Sequence, residues 1–260
     1  MTRQSYDTDL TPAQCELLAP LLPPAKPGGR PRSVNVFEVV NAIFYLLRAG
    51  CAWRLLPHDF PAWQTVYHYF RQWEADGTWE ALNHALRQQL RETVGRNPSP
   101  SAACLDSQSV KTAGAAQETG FDGGKKVKGR KRTILVDTMG LLLGAKVHSA
   151  RRSDHDGLTL LGIWFASMWS CLQLIWTDKT FGGKSFVAWV EQAFGWTIEV
   201  VQRPAEQKGF QLLPRRWVVE RTFAWFGRYR RLSKDYEYLP TTSETMLYAA
   251  MVNLMLRRLA

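Results

Sequence analysis

Leu172-Gln173-Leu174-Ile175-Trp176-Thr177-Asp178 is an apolar run of buried-strand length that ends on a carboxylate and is followed by the punctuating pair Gly182-Gly183. The run predicts a strand that delivers Asp178 at its carboxyl end, where open α/β sheets gather their ligands. A second strand candidate, Ala102-Ala103-Cys104-Leu105-Asp106-Ser107-Gln108-Ser109-Val110, holds Asp106 in a place that strand propensity disfavours. The bulky residues of Arg215-Arg216-Trp217-Val218-Val219-Glu220-Arg221-Thr222-Phe223-Ala224-Trp225-Phe226 return at spacings of three and four, which predicts a helix bearing Glu220.

Between and around these stretches the pattern is α/β. Strand signals at Thr133 to Val136 and Leu141 to Val147 follow Asp106. A helix, the strand ending at Asp178, a helix from Gly183 to Phe194 and a strand from Trp196 to Val201 come next. The Glu220 helix and another from Ser243 to Arg258 close the series. The amino-terminal part reads as helical throughout: Thr11-Pro12 opens a helix running to Leu22, and a basic, proline-rich connector at 23–32 follows. Further helices run from Val36 to Leu47, from Trp63 to Trp73 and from Trp79 to Val94. Asn97-Pro98-Ser99-Pro100-Ser101 breaks the pattern, so the expected division is a small helix-turn-helix-like region at 1–97 and an α/β region at 98–260.

At 260 residues and 45% hydrophobic content the chain can bury a sizeable core, and its net charge of +10 points to a polyanionic partner bound in a salt-dependent way. Charge alone fits a ribosomal or membrane-surface protein equally well. Cys15, Cys51, Cys104 and Cys171 are scattered without metal or disulfide spacing, which suggests a reduced, cytoplasmic setting. The polar start Met1-Thr2-Arg3-Gln4-Ser5-Tyr6-Asp7 lacks a secretory pattern, no run is long and apolar enough for a bilayer, and no Walker-type loop implies a nucleotide cofactor.

Carboxylate oxygens suit Mg²⁺, with Mn²⁺ as a substitute, and two such ions about 4 Å apart can drive in-line displacement at phosphorus. Singly, each acid also has a structural reading. Asp106 fits a hydrogen-bonding or turn aspartate, Asp178 a helix N-cap, and Glu220 an i,i+4 partner of Arg216. Basic residues crowd the same regions. Lys125, Lys126, Lys128, Arg130, Lys131 and Arg132 fill most of eight positions and read either as a solvated surface or as a phosphate-contacting loop. Arg216, Arg221 and Arg228 surround Glu220. Gln64, His68 and Arg71 lie on adjoining turns of one helix that either enters a DNA groove or packs as a bundle. Asp154-His155-Asp156-Gly157, with His148 upstream, looks like a metal cluster but is more simply a turn with N-cap acids, and Asp137 suits a hairpin turn.

The stretches Leu105 to Lys111, Gly120 to Arg132 and Arg215 to Trp225 resemble bacterial insertion-sequence transposases of the family called IS-five, and the match runs through nearly the whole chain. That resemblance implies a ribonuclease-H-like catalytic domain with a mixed sheet flanked by helices, preceded by a helical end-recognition module. It also implies a DDE triad at Asp106, Asp178 and Glu220 that binds divalent metal. Arg216 and Arg221 would steady phosphates. The implied partners are double-stranded DNA, as terminal inverted repeats and target, and a second copy on DNA, with the protein nucleoid-associated. Leu213 and Gly227 stand where relatives often carry tyrosine and a basic residue, and Lys179-Thr180-Phe181 replaces a common Gly-Tyr. The implied activity is metal-dependent cutting at element ends and joining of the 3′-hydroxyl to target DNA. Its rivals are a non-catalytic DNA-binding regulator and a nuclease that hydrolyses without joining.

Overall fold

The computed structural model describes residues 3–25, 28, 32–201 and 215–260. The connector at 23–32 thus lies partly, and Leu213 wholly, outside the described residues. Four helices come first, α1 (Pro12–Leu18), α2 (Val36–Ala49), α3 (Trp63–Ala75) and α4 (Thr78–Thr93). Thr11 and Gln14 form the capping box that starts α1, and Gly50 ends α2 in the left-handed region at φ 73°, which a side chain would disfavour. The remaining elements are β1 (Ala102–Lys111), β2 (Gly120–Asp122), β3 (Val127–Asp137), β4 (Leu142–Ser149), α5 (Asp154–Phe165), β5 (Leu174–Thr177), α6 (Lys184–Phe194), β6 (Thr197–Val200), α7 (Trp217–Phe226) and α8 (Pro240–Leu259).

One mixed sheet organises them. β1 is antiparallel to β3 and parallel to β5, and β5 is parallel to β6. On its other edge β3 pairs antiparallel with β4, and the short β2 lies end to end with β4 along that edge. The order β4-β3-β1-β5-β6, with helices packed around it, is the ribonuclease-H-like arrangement that the resemblance implies.

β3 corrects one expectation. The Gly- and Lys-rich segment is a hairpin, not a loop, because β3 already starts at Val127 and pairs back onto β2. Arg130, Lys131 and Arg132 lie within it and are buried. Their charges are answered from distant parts of the chain. Arg130 ion-pairs with Asp235 at 3.2 Å and donates to the carbonyls of Gln117, Glu237 and Tyr238. Arg132 donates to the carbonyls of Leu232 and Lys234, and Lys131 pairs with Asp154 at 3.0 Å. Burial of a cation is tolerable only with such partners, and none is close in sequence.

α8 is the centre of the molecule. Met246, Leu247, Met251, Met255 and Leu256 are fully buried, so this apolar face is packed in the core. The helix starts at Pro240, earlier than the sequence suggests, since proline at the first helical position lacks only an N–H that would be unpaired anyway. It packs on α4 and β4 and also touches α1, α2, α3 and α7, so the helices before Asn97 share one continuous core with the sheet. No helix among the described residues is long and apolar enough to cross a membrane.

Candidate active site

Register brings the two aspartates together. Cys104 on β1 is paired with Trp176 on the parallel β5, so Asp106 and Asp178, each two residues further on, project from the same face of adjacent strands. Adjacent strands run about 4.8 Å apart. Asp178 lies just past the end of β5, where its side chain caps the turn Lys179–Phe181 by accepting from the Thr180 amide at 2.8 Å and from the Thr180 hydroxyl. The capping role expected for Asp178 is real, but the capped element is this turn and not α6.

Asp106 is held within the sheet. Its Oδ1 accepts from the Ser107 amide at 2.7 Å. Burial pushes its carboxyl up to about 6, and the neighbouring Asp178 adds to the rise while the Ser107 amide and Arg216 oppose it. Two neighbouring carboxylates at adjacent strand ends are an oxygen donor set that suits a hard cation.

Glu220 approaches from the other side. α7 packs on β1 and β3, and Gly140, at φ +83° in the β3–β4 turn, allows this because a Cβ there would stand 2.8 Å from the Thr222 hydroxyl. The Glu220 side chain is 47% exposed, and Arg216 lies between it and Asp106, with Nη2 3.5 Å from Glu220 and 3.8 Å from Asp106. Among the described residues no three His, Cys, Asp or Glu side chains stand close enough to hold a metal together. The structure therefore brings Asp106 and Asp178 together, with Glu220 held across an arginine. Two carboxylates with substrate phosphate can still suffice for Mg²⁺.

Asp154 belongs to this neighbourhood, which its sequence pattern did not reveal. Ser153 is the N-cap of α5, paired in a capping box with Asp156, so Asp154 is free to bind elsewhere. It accepts from the Ser107 hydroxyl at 2.6 Å and from Lys131, tying β1 and β3 to α5 beside Asp106. No local signal could show this, because both partners come from other strands. His148 is buried against the Thr133 hydroxyl and His155 stacks on Phe186, so neither joins the acids.

The basic residues divide into two groups. Lys125 donates to the Ser107 carbonyl at 2.8 Å, beside Asp106, and Lys126 and Lys128 are exposed near it. Arg228 is exposed, as are Gln64 and His68 on α3. Arg71 is occupied by Glu74 and the Thr242 hydroxyl, both at 2.8 Å. Arg221 lies against the rings of Trp217 and Trp225 at 4.3 and 4.7 Å and donates to the Met139 carbonyl, which packs it onto its own helix and the β3–β4 turn.

Sheet order, helix placement and the aligned aspartates define a class, a ribonuclease-H-like protein with acidic residues at its strand ends. Family comparison makes this specific. Residues 97–255 match the model described as "Transposase DDE domain", and residues 10–83 match "Putative transposase of IS4/5 family". The chain belongs to the DDE transposases, enzymes that generally use divalent metals. It is also similar to the "Insertion element IS402 uncharacterized 16.2 kDa protein" of Burkholderia cepacia, 33% identical over 111 residues, which is 40% of this chain and 74% of the relative.

Proposed function

We propose that this chain cuts DNA at the ends of an insertion element and transfers the freed 3′-hydroxyl into target DNA. The observation that carries the reading is the register of β1 and β5, which aligns Asp106 and Asp178 on one face, with Glu220 across from them on α7. Asp106 and Asp178 would hold divalent metal, preferably Mg²⁺, with Glu220 completing the set once Arg216 turns away. Bound metal would activate the attacking oxygen and stabilise the leaving one. Arg216, freed from the acids, would meet a phosphate. Lys125, Lys126, Lys128 and Arg228 would hold the backbone, and α3 would meet element ends through Gln64 and His68. A second copy would bring the two ends together.

The test incubates the protein with a short element-end duplex and a plasmid target in Mg²⁺ or Mn²⁺. Covalently joined products are expected from the native chain and none from Asp178→Ala. Cleavage without joining would leave a hydrolytic nuclease, and binding without cleavage a DNA-binding regulator.

A further inference from the structure

We propose that the cleft between α3 and the segment 235–239 binds a single unstacked nucleobase of a DNA strand, at a subsite apart from the carboxylates. This deepens the reading that DNA is the substrate and rests on it. The cleft encloses about 530 Å³, and Trp63, Tyr67 and Tyr238 form its walls, with Arg54, Arg71 and Arg231 among them. A duplex is too wide to enter such a space, whereas one nucleotide fits. Tyr67 is 37% and Tyr238 58% exposed, so aromatic surface on both sides of the cleft is open to solvent. Every base can stack on such a face whatever its identity.

The charges favour a nucleotide over other flat ligands. Arg231 is already bonded to Glu237 at 2.8 Å, which cancels the acid that lines the cleft, and Arg71 is bonded to Glu74 beside it. Arg54 has no carboxylate partner among the described residues, and its guanidinium lies 5.5 Å from the centre of the Trp63 ring. A base stacked beside Trp63 would carry its phosphate to that cation.

The wall is rigid, which a stacking site needs. Arg130 holds Tyr238 through its carbonyl at 2.6 Å and Glu237 through its carbonyl at 2.9 Å, and the Ala113 amide donates to the Asp235 carbonyl at 2.8 Å. The buried cation on β3 thus fixes the segment that bears Tyr238. This segment abuts the end of β1: the Asp235 amide donates to the Lys111 carbonyl. Lys111 is five residues along β1 from Asp106, about 17 Å, or roughly five nucleotide steps of a B-form strand.

Fluorescence anisotropy of the full chain with a short single-stranded oligonucleotide, and with the same strand made abasic, tests the proposal. The native protein should bind the intact strand about tenfold or more tightly than the abasic one. Tyr67→Ala combined with Tyr238→Ala should bind both at the abasic level, while Tyr238→Phe, which keeps the ring, should retain the preference. Equal affinity of the native protein for the two strands, or an undiminished preference in the double variant, would overturn the proposal. In either case, persisting duplex binding and Mg²⁺-dependent cleavage would leave the transposase reading intact, whereas loss of all DNA binding by the native chain would sink both.

Discussion

Asp106 is a half-buried acid with a raised pKa, and the sign of its effect on stability follows. Unfolded, the group ionises near its ordinary 3.8, and folded near 6, so between those values the folded state binds more protons and stability falls as pH rises. Above about pH 6 the ionised side chain opposes folding by on the order of 1–3 kcal/mol. Asp106→Asn should therefore melt a few degrees above the native chain at pH 7.5 without metal, and the gain should vanish at pH 4. An equal gain at both pH values would point to a cause other than this carboxyl. Arg216 makes a second prediction at this scale. With Arg216→Ala, Asp106 and Glu220 lose their shared cation, so Mn²⁺ affinity measured by calorimetry without DNA should rise severalfold while strand cleavage falls.

β3 shows how far an element can be read from sequence. The elements that carry Asp106, Asp178 and Glu220 were legible because an apolar run or a helical spacing framed each of them. Arg130 and Arg132 were not, since a strand of buried cations has the composition of a loop, and all the carbonyls that accept from them except that of Gln117 lie 100 or more residues away. Lys125→Gln should lower the slope of log affinity against log salt by about 0.9 for loss of one phosphate contact and leave stability nearly unchanged. Arg132→Gln should do the reverse, with a lower urea midpoint. Asp137 was read correctly as a turn residue, but its partner was not: besides the amides of Met139 and Leu141 it takes Arg91 of α4 at 2.6 Å. Asp137→Ala should cost about 3–5 kcal/mol in urea unfolding, because a buried arginine loses its carboxylate.

For the molecule as a whole, the boundary expected at 97/98 separates two patterns in the sequence but not two cores. α8 fills the space between α4 and β4 and touches the earlier helices, a placement that periodicity cannot supply because it gives the apolar face of a helix and not its neighbour. Unfolding should thus be one transition, with tryptophan fluorescence and far-UV circular dichroism giving the same urea midpoint. Two separated midpoints would mean that the helical region folds alone.

The place of α8 in chain order bears on how the protein is made. It is synthesised after every other element described here, yet α2, α4 and β4 all pack against it. Until that segment leaves the ribosome, those elements lack the helix they pack against, so the core closes only once Pro240–Leu259 has been made. Nascent chains that stop short of Pro240 would present a large bare apolar surface, and degradation or aggregation, not partial activity, is the fate that surface favours.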